Sequence, residues 1–332
     1  MAGKYGSASV VFLMDGYILL AAKAKTLALK ITSLTEQTDG LGDSSDAMTP
    51  VGKQRATVTQ GGALFDTTQN SIHDAMAAKL GTSPQATVRT AVIGPMGSAL
   101  GAVAYGMAGV FAVAYEAVLQ LGKLTKANAE YQQADLVERG AIVQPLAAQT
   151  ATWNTSATPF DYTTDLSQYT IPITSVSKAN PGVVTTPVPH GLTTGQRILI
   201  SGNTLSGPSV NAEVVVTVIT STTFSLAINT SGSSGAGTGG TFVLASTVNG
   251  GAAYQQVTNF DVSLNGTYDA KIRHSVDNVT YADLAVFAQV VAGPAAGRVA
   301  VAAGTTVNRY LIHSGTIVNV PTLTVLSMFA RT

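Results

Sequence analysis

The sequence predicts a mainly β protein with a single helix. Short runs rich in β-branched residues recur along the whole chain, separated by Gly, Asn, Ser and Pro. Some of them alternate: Lys271, Arg273 and His274 stand among Ala270 and Ile272, the pattern of a strand with one wet face. Only one stretch carries apolar residues at helical spacing, which leaves strands to build the rest.

Taken in order, SASVVFLMDG (Ser7 to Gly16), LALKITSLTEQ (Leu27 to Gln37) and QRATVTQGG (Gln54 to Gly62) read as strands of one antiparallel sheet. The apolar run near the N-terminus follows one lysine, but Asp15 and Gly16 interrupt it, which argues against a cleaved export signal. Thr35 to Gly52 shows neither strand nor helix pattern, and a connection of that length is functional or disordered. Its acidic residues Glu36, Asp39, Asp43 and Asp46 lack the spacing and closing glutamate of a calcium loop. A loop that orders against a neighbouring subunit is the preferred reading.

Phe65 to Gly81 is the helix, with Asp66 in its first turn, Ile72, Met76 and Leu80 on one face, and Gly81 and Pro84 to stop it. Such a helix would cover one sheet face. Ala91 to Leu121 follows, with Glu116 as its single charge. It is long enough to span a bilayer. However, Pro95 and five glycines break it up, so a strand-loop-strand segment covered at a subunit interface explains it better than a membrane span.

Composition bounds the function. The 332 residues suggest two or three domains, since single cores stop growing beyond about 250 residues. Only 11% of them are charged, against ~25% in ordinary soluble proteins, so much of the surface is expected to be covered by something else. Eighteen basic residues balance eighteen acidic ones, which argues against a nucleic-acid reader and removes the self-repulsion that keeps chains apart. Self-assembly is the natural inference. The absence of cysteine rules out disulfides, thiolate catalysis and cysteine zinc sites. His73, His190, His274 and His313 stand far apart and show no ligand spacing, so no metal and no cofactor is expected.

From Thr174 to Ala245 the only aromatic residues are Phe224 and Phe242, and the only charges are Lys178, Arg197 and Glu213. This composition marks a small all-β module, with NTSGSSGAGTGGT (Asn229 to Thr241) as an exposed loop. Gly250 to Thr332 returns to alternating strands with regular turn spacing, which suggests a sandwich. The three resulting units are 1–172, 173–245 and 246–332.

Three patches resemble the major tail tube proteins of long-tailed (siphovirus-type) bacteriophages. They are YGSASVVFLMDGYILL together with GLGDSSDAMTPVGKQRATVTQGGALFDTTQNSIHDAM, then LTKANAEYQQADLVERGAIV within Lys123 to Trp153, and finally HSVDNVTYADLAVF with TVNRYL. The first two resemble the tube core, and the third resembles a β-sandwich found at the end of phage tail proteins. HGLTTGQRILISG, His190 to Gly202, resembles a β-barrel module that recurs in phage structural proteins, here inserted between core and sandwich. The resemblance implies a tail-tube-like β-sandwich or barrel with one flanking helix, an inserted barrel on the tube exterior and a C-terminal sandwich. It also implies hexameric rings stacked into a hollow virion tail that conducts the genome into the host. Partners would be further copies of the chain, the terminator, tip and tape-measure proteins, and genomic double-stranded DNA passing without sequence-specific binding. Assembly would take place in the bacterial cytoplasm.

Candidate lumen or ring-contact residues are Glu36, Asp39, Asp43, Asp46, Lys53, Arg55 and Glu116; ordinary solvated surface charge is the competing explanation for each. A carbohydrate- or receptor-binding adhesin is the main alternative function, yet the single tryptophan, Trp153, lies outside both β-modules that would recognise the sugar. A capsid decoration protein is a third. An enzyme is not expected: no G-x-S-x-G elbow or metal motif occurs, and GAGTGG (Gly235 to Gly240) has no lysine or helix after it.

Overall fold

A computed structural model describes residues 10–18, 25–37, 48–64, 89–119, 121–133, 136–155, 157–164 and 170–331. The helix expected at Phe65 to Gly81 lies outside them. The first strands are β1 (Val11–Met14), β2 (Tyr17–Ile18), β3 (Thr26–Gln37), β4 (Met48–Leu64), β5 (Thr90–Gly94), β6 (Val103–Ala108), β7 (Val110–Val118), β8 (Lys126–Gln133) and β9 (Val137–Gln149). Two short strands follow, β10 (Trp153–Asn154) and β11 (Phe160–Asp161). Next come β12 (Ile171–Pro172), β13 (Ser175–Val176), β14 (Val183–Thr185), β15 (Arg197–Ser201), β16 (Glu213–Thr220), β17 (Thr223–Leu226), β18 (Gly237–Thr238) and β19 (Thr241–Leu244). The chain ends in β20 (Gly251–Phe260), β21 (Thr267–Ser275), β22 (Ala282–Val286), β23 (Ala295–Val301), β24 (Tyr310–Val318) and β25 (Leu323–Arg331). The fold is mainly β, as its alternating runs require.

The central sheet has the order β2-β1-β5-β6-β9-β25-β20-β23, so strands from both ends of the sequence share it and it is continuous across residue 246. It curls until its margins meet. The Gly16 amide donates to Gln256 Oε1 at 2.7 Å, and Gln256 Nε2 donates to Thr90 Oγ1 at 3.0 Å, stitching the β1–β2 turn and β5 to β20. Gly16 has φ of +79°, and a Cβ there would lie 2.3 Å from the Val257 carbonyl oxygen, so only glycine fits this seam.

The curl gives the sheet two apolar faces. Leu13, Val92, Ala104, Ile142, Tyr254, Leu326 and Met328 fill its concave interior. On the convex side, Phe12, Met14, Ala91, Ile93 and Met107 pack against a four-stranded sheet of order β3-β4-β8-β7. Farther round, Val143, Ala253, Val257, Val325 and Phe329 pack against a sheet of order β10-β24-β21-β22, in which β11 also pairs with β24. Strands buried on both faces lose alternation, which is why β20 is buried at nine of its ten positions, Gln255 and Gln256 included.

Two buried polar clusters inside these layers are closely paired. Across the concave interior, Arg298 on β23 holds Glu138 on β9 through Nη2–Oε1 at 2.9 Å and Nε–Oε2 at 3.0 Å, while the Tyr254 hydroxyl donates to the same carboxylate. In the C-terminal sandwich, Trp153 stacks on Tyr268 with ring centroids 5.6 Å apart and 7° between planes, and donates from Nε1 to Gln144 Oε1 at 2.9 Å. Gly315 makes room for that indole, since a Cβ there would lie 2.4 Å from its ring. Gly315→Val is expected to lower stability by about 1–3 kcal/mol through overpacking. Because Trp153 is the only tryptophan, a red shift of its emission reports the displacement directly.

Among the described residues, strands β12 to β19 pair only with one another. Their circuit closes: β19 pairs with β15, β15 with β16, β16 with β17, β17 with β14 and β14 with β13, and the segment Ile171 to Val176 returns from β13 to β12 and so to β19. Val176, Val184, Ile198, Val216, Phe224 and Phe242 fill this barrel. The HGLTTGQ run serves its architecture. His190 is buried, accepts the Leu192 amide at Nδ1 (3.0 Å) and donates from Nε2 to the Thr220 carbonyl (3.0 Å), while Gln196 Oε1 accepts the Thr193 amide at 2.8 Å. The barrel is tied to the body by Arg309, which grips Asp161 at 2.7 and 2.9 Å and reaches Glu213 of β16 at 3.3 Å. Asp161 is held below the usual carboxylate range because the hydrogen bonds from Arg309 and Thr163 outweigh its burial.

Candidate assembly surface

Of the sequence-predicted candidates, Glu36 lies on β3, Lys53 and Arg55 on β4 and Glu116 on β7, so all four belong to the four-stranded sheet. Asp39, Asp43 and Asp46 fall between β3 and β4, outside the described residues. The connection between those strands is shorter than the sequence suggests, because β3 runs through Gln37 and β4 begins at Met48. Pairing of Thr35 with Pro50 and Gln37 with Met48 extends the hairpin in spite of its proline and charges.

Alternation fixes the faces of this sheet. Ala56, Val58, Ala129 and Tyr131 point into the core, so Arg55, Thr57, Thr59, Asn128, Glu130 and Gln132 point away from it. Facing rows continue onto the neighbouring strands: Lys30 pairs with Thr57, Thr57 with Gln132, and Glu116 with Asn128. The result is a polar wet face carrying Lys30, Arg55 and Lys126 against Glu116 and Glu130. Glu116 Oε2 accepts from Asn128 Nδ2 at 2.9 Å, and Glu130 Oε1 from Gln132 Nε2 at 3.2 Å. Lys30, Lys126 and Glu130 were not among the candidates, although the strict alternation of KANAEYQQ is the signal that would have found them.

Both margins of the sheet lack a strand partner among the described residues. Among the described residues β3 pairs only with β4, and β7 only with β8, so each is an edge strand of the sheet. Strand β7 is also partly exposed, with Val113 at 44%. The apolar stretch from Ala91 to Leu121 therefore divides. Thr90–Gly94 and most of Val103–Ala108 are buried by this chain's own sheets, and only β7 is open to a neighbour. No helix among the described residues is long and apolar enough to cross a membrane. No group of three or more potential metal ligands occurs among them either.

No family model matches the sequence, and no curated protein is significantly similar to it. Among solved structures, the chain is similar to the tail of an empty gene transfer agent particle with C6 symmetry, at 10% identity over 42% of this chain and 100% of that one, with a TM-score of 0.32. It is similar to the SPP1 Dit protein, of the hub adsorption apparatus in phages infecting Gram-positive bacteria, at 8% identity over 97% of this chain and 99% of that one, with a TM-score of 0.28. A protein of the phage p2 baseplate is similar at 8% identity over 97% and 98%, with a TM-score of 0.25.

Proposed function

We propose that this chain is the structural subunit of a phage tail tube, self-assembling into stacked hexameric rings that conduct the genome, and that it is not an enzyme. The observation that carries the reading is the four-stranded sheet with one polar face and two margins that lack a strand partner among the described residues. Pairing β7 of one copy with β3 of the next would join such sheets into a continuous barrel, and it hides edges that otherwise invite aggregation. Two of the sequence patches that resemble tail tube proteins meet here, since Lys123 to Trp153 contains β8 and its continuation β9.

The wet face suits a conduit. Duplex DNA is held by counterion release where cations cluster. Three cations interspersed with two carboxylates and a field of Thr, Asn and Gln give a passing duplex no basic track to bind. Terminator, tip and tape-measure proteins are the further partners this role requires, and the closed barrel of β12 to β19 belongs on the tube exterior.

Val113 tests the edge pairing. It sits at the register shift between Ala112 and Ala114 and has no partner on β8, so proline there spares the β7–β8 ladder while blocking the outer edge. Val113→Pro is expected to give a folded subunit that forms neither rings nor tubes in negative-stain microscopy. Normal tubes from this variant would rule out β7 as the joining edge.

A further inference from the structure

The barrel of β12 to β19 is almost without charge. Between Thr174 and Ala245 the only charged residues are Lys178, Arg197 and Glu213, and two of these three stand at the junction with the body. There they complete a chain of alternating sign. Arg197 Nε lies 2.5 Å from Glu213 Oε1, Glu213 Oε2 lies 3.3 Å from Arg309 Nη1, and Arg309 closes on Asp161 with hydrogen bonds of 2.7 and 2.9 Å.

The lengths divide this chain in two. Each short link lies within one unit, Arg197 with Glu213 in the barrel and Arg309 with Asp161 in the body, whereas the long link is the one that crosses between them. Parting the crossing link therefore leaves every ion with a counter-charge on its own side. The contrast is with Glu138 and Arg298, where loss of either partner strands a buried charge. Two pairs that are each neutral also attract one another more weakly than two bare ions do, and salt screens what attraction remains.

Of the barrel's two connections to the body, the outgoing one lies wholly within the described residues, and it supplies a pivot. The Ala245 and Ser246 amides both donate to the Arg197 carbonyl, at 2.8 and 3.0 Å, and Ser246 Oγ accepts the Arg197 amide at 3.0 Å. As far as Ser246, then, the chain is bonded to the barrel. At the next residue it is bonded to the body, since Thr247 exchanges two backbone hydrogen bonds with Val307, at 3.1 and 2.8 Å. The change of partner falls at one peptide link, the arrangement of a hinge. Arg331 Nη1, 3.4 Å from the Ala245 carbonyl, touches the barrel beside that link, where rotation moves atoms least.

We propose that the charge chain is a latch: the Arg309–Glu213 contact holds the barrel in one orientation, and when it opens the barrel swings as a unit about the link between Ser246 and Thr247. Among the described residues the barrel strands pair only with one another, so no strand ladder breaks when it moves. The latch lies within one copy of the chain and is independent of the tube reading.

Because the chain has no cysteine, introduced thiols are the only ones present. Thr217 on β16 and Thr316 on β24 are both exposed, so the full-length Thr217→Cys/Thr316→Cys variant takes a spin label on the barrel and another on the body. Dilution into unlabelled chain removes distances between copies, and pulsed electron resonance then reads the distance within one. One narrow distance is expected at low salt. Adding Glu213→Ala removes the crossing link while leaving Arg309 its Asp161 and Arg197 with 32% exposure to water, and is expected to add a second distance with the far-ultraviolet strand signal unchanged. A single narrow distance in the folded Glu213→Ala chain overturns the latch and makes the junction a rigid mount. Should that variant fail to fold, the labelled parent decides in about 1 M salt, where the screening length falls to about 3 Å. A second distance there upholds the latch, and an unchanged one overturns it.

Discussion

Replacing Arg298 with alanine is expected to destabilise the folded chain by about 3–5 kcal/mol, because it leaves the Glu138 carboxylate without its cation inside the curled sheet. Both partners are shielded, with side-chain exposures of 16% for Arg298 and 11% for Glu138, and the guanidinium meets the carboxylate with two parallel hydrogen bonds. The hydrogen bond to Glu138 is the main reason the guanidinium holds its proton even more firmly than an ordinary arginine. Tyr254 is pushed far above the usual phenol range, first by burial and then by the same carboxylate, so its hydroxyl stays a donor to Glu138. Removing both charges is milder than removing one, since an apolar pair of similar volume leaves no orphaned ion. Glu138→Leu/Arg298→Met is therefore expected to recover most of the loss. Chemical denaturation of the two single variants and the double variant measures the coupling. An Arg298→Ala variant within 1 kcal/mol of the parent would show that water reaches the carboxylate.

Acidification is expected to weaken the C-terminal sandwich through His313. Its ring is fully buried between Trp153, at 5.4 Å between centroids, and the Tyr268 hydroxyl, at 2.9 Å from Nε2, with Ser327 Oγ 3.1 Å from Nδ1. Burial lowers its pKa from the ordinary 6.5 to about 3. The folded chain thus keeps this ring neutral, whereas the unfolded chain protonates it once pH falls below about 6.5. Between those two values the unfolded state binds the extra proton, so stability falls as pH falls, by about 1.4 kcal/mol per unit for one group. His274, lowered by partial burial, acts in the same direction. The depressed carboxylates Asp161, Asp261, Asp277 and Asp283 contribute only at lower pH, below their unfolded value of 3.8. His313→Gln is therefore expected to be less stable at pH 7.5 but to lose less between pH 6.5 and 4.5. Equal slopes for parent and variant across that window would mean that His313 is not the group that titrates.

Much of the candidate surface is legible in residues close together in sequence. KANAEYQQ alternates without a fault, and β8 leaves Lys126, Asn128, Glu130 and Gln132 half-buried while fully burying Ala127, Ala129, Tyr131 and Gln133. A period-two pattern is local, so it survives whatever partner the strand finds. The same rule says less at AYQQVTNF, where Gln255 and Gln256 are adjacent and so point to opposite faces. Both are buried, because β20 lies between two apolar layers and Gln256 spends its amide on the seam with Gly16 and Thr90. The apolar character of Ala91 to Leu121 was equally ambiguous: most of it fills this chain's own core, and only β7 faces outward.

Sequence by itself determined the β class, the strand faces at β8 and β21, the low-charge segment that forms a closed barrel, and the balance of charge that suits self-assembly. Tertiary structure alone decided that strands from the two ends of the chain share one curled sheet and that Glu138 meets Arg298 across its interior. The reason is one of range. Alternation and turn chemistry are set by neighbours a few residues away, whereas sheet order and curl are set by pairings between distant segments. A strand's own residues do not specify those pairings.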